Sequence, residues 1–392
     1  MSSRTRIIVM SISAPVIAFA IVGGFLGKVM AGQETPYRHL KIFDDVVGLI
    51  TSAYVEDANV DTVMRGAMHG LVDTLDPDSA YLTPDEVKQV ESGAALPAGG
   101  VGLELTRQYY LRVIAARDNS PAAKAGLRTG DYIRAINGTP TREMSVWEGL
   151  RALRGAAGTK VSVTVIRGNA ADPHVVDLTR EIEPASVVSG RLAGAGVGYV
   201  RVAALGPASA AQVKTQVADL AKAGATMLVV DVRRTVGGSL DDGLALARLF
   251  VGKGTLAIRE TRDTKSGARE AISAGAGDGS ITLPTVLLIN TGTSGASEVF
   301  ASALAGNQRA DLIGERTIGR AAVQKLMKLP DGAALWLSTT RYLTPAGTPL
   351  HEKGLEPTVA VDEPDVEFGQ PAPAADAVLD KALAHLAAKK AA

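Results

Sequence analysis

Hydrophobic and polar positions follow four successive patterns along the chain. Residues 7–27, IIVMSISAPVIAFAIVGGFLG, are uncharged and follow Arg4 and Arg6. Some twenty residues at about 1.5 Å each match a hydrocarbon core of roughly 30 Å, so the pattern predicts a membrane anchor from Ile7 to Gly27. Its basic flank places the remainder outside the cytoplasm, as in a single-pass bacterial inner-membrane protein. Val29-Met30-Ala31 fits a signal-peptidase site, but the apolar stretch exceeds a usual signal core and favours an uncleaved anchor. From 37 to 95 the period is helical. Leu40, Phe43, Val46, Val47, Ile50 and Tyr54 form one stripe, and Val63, Met64, Ala67 and Leu71 form another. Thr83-Pro84-Asp85-Glu86 reads as a fresh helix start.

Residues 92–99 are a small-residue linker. Beyond them the pattern turns to alternation, with Val161, Val163 and Val165 on one strand face. From Gly196 onward, apolar strands alternate with helices. Val197 to Val202 and Thr226 to Val232 predict strands, with helices over Ser209–Ala223 and about Leu240–Phe250. The run Leu283–Ile289 is too short for a domain-spanning helix and reads as a buried parallel strand. A helix from Ser297, a strand over Ala310–Ile313 and a strand beginning at Ala321 follow. This order implies parallel strands joined by crossover helices. Leu335–Thr339 and Arg341–Leu343 continue the sheet. Residues 364–376 are rich in Pro and Ala and predict an extended linker, before a last helix over about Ala377–Lys389 that docks on the body or on a partner.

Composition narrows the function classes. With 392 residues, 46% apolar, there is chain enough for two or three domains. Formal net charge is zero, which argues against nucleic acid as a partner. The absence of cysteine rules out thiolate chemistry and disulfides. Five scattered histidines include no His-Glu-x-x-His, so no metal or cofactor is expected, and His351 reads as a surface or packing residue. The Gly237-Gly238 pair lacks a following Gly-Lys-Ser/Thr, and GAGVG at 194–198 precedes a strand, so neither reads as a nucleotide loop.

The strand–turn–helix at 283–304 is a usual place for an enzyme nucleophile, because amides at a helix start stabilise an oxyanion. There the chain has Asn290, Gly292, Thr293, Ser294, Gly295, Ala296, Ser297 and Glu298. It continues with Gly314, Glu315, Thr317, Gly319, Arg320, Ala321, Val323 and Gln324. This resembles the carboxy-terminal processing, or tail-specific, serine peptidases, which use a Ser–Lys dyad. The resemblance puts the family's nucleophile at Gly295 and its lysine at Arg320, and keeps only Gln324, which positions the lysine in that family. Glycine cannot form an acyl-enzyme, and arginine stays protonated, so neither half of the dyad chemistry is expected. Ser294 and Ser297 are the candidates for a displaced nucleophile. At about 100° per residue they point away from the family's nucleophile direction.

The resemblance extends over roughly 40–362. LDPDSAYL matches the family's LDPHSxYL with Asp78 in place of histidine. Asp231, Arg233, Gly237 and Gly238 match its strand-end turn, while Arg234, Thr235 and Val236 replace Asn-Asn-Pro. Gly237, Gly238 and Ala296 are the oxyanion-hole-like positions. Gly100-Val101-Gly102-Leu103, Ser120-Pro121-Ala122, Ala125–Asp131 and Ile136-Asn137-Gly138 resemble a PDZ domain, whose loop amides cradle a peptide carboxylate while a strand edge pairs with its backbone. RYLTPAGTPLHEKGLEPTVAVD matches the closing segment.

The fold class expected is an α/β peptidase-like core, ClpP/crotonase-like as the resemblance implies, with an inserted PDZ domain, a helical amino-terminal region and one transmembrane helix. The segments are 1–36 (cytoplasmic stub, anchor and juxtamembrane stretch), 37–95 (helical), 96–185 (PDZ), 186–363 (peptidase-like) and 364–392 (linker and terminal helix). The expected function is capture of unstructured protein C-termini without cleavage. Two alternatives remain: an active endopeptidase using Ser294 or Ser297, and a structural oligomer or scaffold. The expected partners are protein tails, the membrane, and either a second copy or an active paralogue.

Overall fold

A computed structural model describes residues 34–391, apart from 94, 169–171, 185, 195, 263–268, 371–372 and 374. The expected anchor, Ile7 to Gly27, lies outside the described residues. Among the described residues no helix is long and apolar enough to cross a membrane. Within the described residues the fold class is corrected to one without a transmembrane helix, and the single-pass inner-membrane placement finds no span there.

Two units are distinguished, 1–71 and 72–392. In the first, α1 (Glu34–Ala53) and most of α2 (Val60–Asp73) are amphipathic helices, with Leu40, Val46 and Leu49 exposed.

In the second unit, Asp76 accepts from the amides of Asp78 and Ser79 at 2.8 Å each, closing the turn before β1 (Ala80–Leu82). α3 (Pro84–Glu91) starts at a capping box in which Thr83 and Glu86 satisfy each other's backbone donors. The PDZ-like part is a six-stranded antiparallel sheet. The elements of this part are β2 (Gly99–Gly100), β3 (Leu103–Gln108), β4 (Tyr110–Ala116), the short α4 (Pro121–Lys124), β5 (Tyr132–Ile136) and β6 (Thr139–Pro140). α5 (Val146–Leu153), capped by Ser145 and Glu148, precedes β7 (Lys160–Ile166), β8 (His174–Thr179) and β9 (Glu181–Ile182). The order is β3-β4-β5-β7-β8, with β6 on β5 and β2 paired to β9. β3 is thus an edge strand. Leu105, Leu111, Ile133, Val163 and Val165 are fully buried in its core.

The second domain is built on a six-stranded sheet. Its elements are β10 (Val187–Leu192), β11 (Val197–Ala204), α6 (Ser209–Lys222), β12 (Met227–Asp231), α7 (Leu240–Arg248), β13 (Thr255–Thr261) and β14 (Arg269–Ser273). They continue with β15 (Thr285–Ile289), α8 (Ala296–Gly306), β16 (Ala310–Gly314), β17 (Ala322–Lys328), β18 (Ala334–Leu343), β19 (Val359–Ala360) and α9 (Ala377–Ala391). The order is β10-β11-β12-β15-β16-β19, parallel from β11 to β19. Continuous apolar runs arise because both faces are covered. Leu228, Val230, Leu287 and Ile289 face the cluster with α6, α7 and α8, while Met227, Val229, Val286 and Leu288 face Val378, Leu379 and Leu386 of α9. The terminal helix therefore docks on the body.

β18 does not continue this sheet. It pairs antiparallel with β1, β13 and β17 in a second sheet, so that the Asp76–Leu82 segment is bound directly beside residues 322–343. The stretch expected as an extended linker is held at several points. Phe368 stacks on His174 at 4.3 Å between ring centroids, and Arg167 donates to the carbonyls of Val366 and Glu367 at 3.2 Å.

Candidate active site

β15 delivers the chain into a turn held by short-range polar contacts. The amide of Asn290 donates to Thr293 Oγ1 (3.1 Å), whose hydroxyl donates to the carbonyl of Val232 (2.9 Å). Asn290 Oδ1 accepts from Gly292 (3.0 Å) and from Arg234 (3.2 Å), tying this turn to the 233–238 turn after β12. Gly295 follows at φ 56°, ψ −115°. Side-chain-bearing residues reach that backbone state only under strain, and glycine reaches it freely. A Cβ placed there meets nothing closer than the Arg320 carbonyl oxygen at 3.5 Å. The position has the sharp turn and the space for a nucleophile, and no side chain to act as one.

Glu298 fastens the helix start to the 317–320 loop. It is fully buried and accepts from the amides of Gly295 (3.0 Å), Gly319 (2.6 Å) and Arg320 (2.7 Å), and from the hydroxyl of Thr317. Burial raises its pKa, and the four donors oppose the rise. Every partner is a donor, so the arrangement suits the ionised carboxylate. Ser297 is spent locally: its hydroxyl donates to the carbonyl of Ser294 (2.8 Å) and accepts from the amide of Ser294 (3.1 Å).

Arg320 lies at the centre of a three-way clamp. Its Nη2 and Nε donate to the two carboxylate oxygens of Asp78 at 2.6 and 3.2 Å. Its Nη1 donates to Glu104 Oε1 (2.8 Å) and to the Leu105 carbonyl (2.9 Å), both on β3. Burial alone would lower its pKa, but Asp78 and Glu104 outweigh it and hold it above its ordinary value. Arg320 is a fixed cation joining three segments. Gln324 is not one of its partners; its amide donates to Ser338 Oγ at 3.1 Å.

The 233–238 turn has its own charge network. Asp231 is buried against Arg233 (2.7 Å), Arg201 and the hydroxyl of Tyr199 (2.7 Å). Burial would raise its pKa, but the two guanidinium groups hold it far below its ordinary range. Arg233 continues to Asp376 (2.6 Å) at the start of α9, and Arg234 pairs with Glu363 (2.5 Å). The charge that Arg234 brings to this turn is thereby neutralised by Glu363. Gly237 and Gly238 are exposed at φ 74° and 86°, and their amides have no acceptor among the described residues. A Cβ on Gly238 would lie 3.2 Å from the Ala296 Cβ, so the three oxyanion-hole-like positions are neighbours.

On the PDZ domain, Val101 and Leu103 are buried and α5 packs beside β3. The Gly102 amide is not free: Glu183 Oε1 accepts from it at 2.6 Å. Nothing in the sequence marked Glu183, or Glu104 as a partner of Arg320. Both are isolated acidic residues whose meaning comes from contacts across 81 and 216 positions.

The fold and this site define an α/β peptidase scaffold carrying a PDZ domain. The chain matches Peptidase family S41 over residues 196–361 and a PDZ domain over residues 112–167. It is 30% identical over 362 residues to a carboxy-terminal-processing protease of Bartonella bacilliformis, covering 89% of this chain and 83% of that one. It is 32% identical over 325 residues to a carboxyl-terminal-processing protease of Synechocystis sp., covering 81% and 75%. Its fold matches that of a photosystem II D1 C-terminal processing protease with a TM-score of 0.66 at 28% identity, covering 82% and 92%. The chain belongs to the S41 family of carboxy-terminal-processing serine proteases.

Proposed function

We propose that this chain is a tail-binding member of that family without the family's dyad chemistry. The observation that carries the reading is the state of Arg320. At the position of the family's lysine base stands a guanidinium held by Asp78, Glu104 and the Leu105 carbonyl. A general base must give up a proton, and this group is fixed in its protonated form. Opposite it, Gly295 has no atom to attack a carbonyl. Ser297 does not replace it, because its hydroxyl is buried against the Ser294 backbone with no base beside it. What remains is a binding apparatus: the edge strand β3, the glycine loop at 100–103 and helix α5. Apolar, unstructured protein C-termini are the ligands it suits.

The test uses the whole chain and a fluorescein-labelled apolar peptide, with either a free or an amidated C-terminus. Anisotropy should show binding of the free-carboxylate form in the micromolar range, about −8 kcal/mol, and much weaker binding of the amide. Mass spectrometry of the same samples should show the peptide intact. Equal binding of both peptides, or cleavage of either, would overturn the reading.

A further inference from the structure

The carboxylate-binding loop of the PDZ domain already holds a carboxylate. Glu183 Oε1 accepts from the Gly102 amide at 2.6 Å. Its side chain lies where a Cβ on Gly100 would come within 2.4 Å of Glu183 Cδ, so the acid group is pressed onto the loop itself. The second oxygen of Glu183 pairs with Arg154 at 2.9 Å, just past the end of α5. One backbone donor and one guanidinium converging on a single carboxylate form a built carboxylate site. Glu183 reaches it because β9 pairs with β2, returning the chain to the loop as it leaves the domain.

The strand edge next to this site is also taken. Val113, the partner of Leu105 across the β3–β4 pair, spends its own amide and carbonyl on Asp131 and Gly130. Leu105 therefore turns its backbone groups away from β4, toward the free edge. That edge carbonyl accepts from Arg320 at 2.9 Å. A peptide adding a strand to β3 needs this acceptor, and its terminal carboxylate needs the Gly102 amide.

We propose that the PDZ groove is self-occupied, with Glu183 standing in for a ligand's terminal carboxylate and Arg154 as the cation that ligand would use. An incoming C-terminus displaces Glu183 from Gly102 and Arg154, and its backbone displaces Arg320 from Leu105. Occupancy by the chain's own groups lowers apparent affinity by the fraction of time the groove is open. The inference rests on the tail-binding reading given above.

The two side chains have opposite predicted effects. With the whole chain and the same labelled peptide, Glu183→Ala should tighten binding of the free-carboxylate form about tenfold, the order expected for losing one charge-assisted competitor. Glu183→Gln, which keeps the shape and removes the charge, should give a smaller gain in the same direction. Arg154→Gln should weaken the free-carboxylate peptide about tenfold and leave the amidated peptide unchanged. Unchanged or weaker binding in both Glu183 variants, beside clear binding by the natural chain, would overturn self-occupancy and leave tail binding intact. No binding by the natural chain together with none by Glu183→Ala would remove tail binding itself.

Discussion

Arg320 and Asp78, 242 positions apart, form a two-point ion pair at 2.6 and 3.2 Å. The resemblance places lysine and histidine at these two positions, and the fold joins the arginine and aspartate found there in one interaction. With Glu104 as a third member, they form a structural joint between the 72–82 segment, the PDZ domain and the loop at 317–320.

Breaking that joint should be costly. Asp78 is only 6% exposed at its side chain, and Asp78→Asn leaves Arg320 short of one full counter-charge. We expect a loss of about 3 kcal/mol, within the range for removing one partner of a buried pair. Urea unfolding of the variant beside the natural chain measures it, and a change below about 0.5 kcal/mol, the ordinary scale for a surface substitution, would show the pair to be dispensable.

Glu298 supports the same loop from beneath. Glu298→Gln puts an amide donor where the carboxylate now meets only donors, leaving buried N–H groups unpaired. A loss of about 2–3 kcal/mol follows from unsatisfied buried groups. Hydrogen exchange at Gly319 and Arg320 should rise in the variant; unchanged protection there would contradict the bonding described.

The charge network around Asp231 makes stability depend on acid. Arg201 and Arg233 hold Asp231 below its ordinary value of 3.8, and Arg233 does the same for Asp376. Both carboxylates are easier to protonate in the unfolded chain. Their contribution is therefore complete well above pH 3.8 and is lost as pH falls below it, toward the folded values. Thermal melting at pH 3 should occur at a lower temperature than at pH 7, and Asp376→Asn should narrow the difference. An equal shift in both proteins would exclude Asp376 from the effect.

Gly295→Ser is sterically admissible and conformationally strained. The nearest atom to the new Cβ is 3.5 Å away, while φ remains 56°. We expect folding with a cost of about 1–3 kcal/mol, the usual range for such a backbone state. A lower urea midpoint with an unchanged slope would match this, and failure to fold would contradict the space described.

Much of this architecture was legible because burial writes itself into a sequence at short range. The run before Asn290 reads as a doubly covered strand since residues 286 to 289 face α8 and α9 by turns. Gly295 and Arg320 were singled out by the resemblance, which aligns them with the family's serine and lysine. The partners were not. Asp78, Glu104 and Glu183 are polar residues in ordinary surroundings until the fold brings them to Arg320 and Gly102. For the stretch 364–376, composition showed its lack of periodicity, while its attachment comes from Phe368 on His174 and backbone carbonyls on Arg167. Gln324, which the resemblance pairs with a lysine, donates to Ser338 instead.

The most direct test of the central claim is intact-mass analysis of an unfolded protein with an apolar C-terminus, incubated with the natural chain and with a restored variant. The structure requires three changes in that variant. In Gly295→Ser with Arg320→Lys, the new lysine would stand between Asp78 and Glu104 and stay protonated, so Asp78→His is added. We predict an intact substrate with the natural chain and processing with the triple variant. Cleavage by the natural chain would contradict the account.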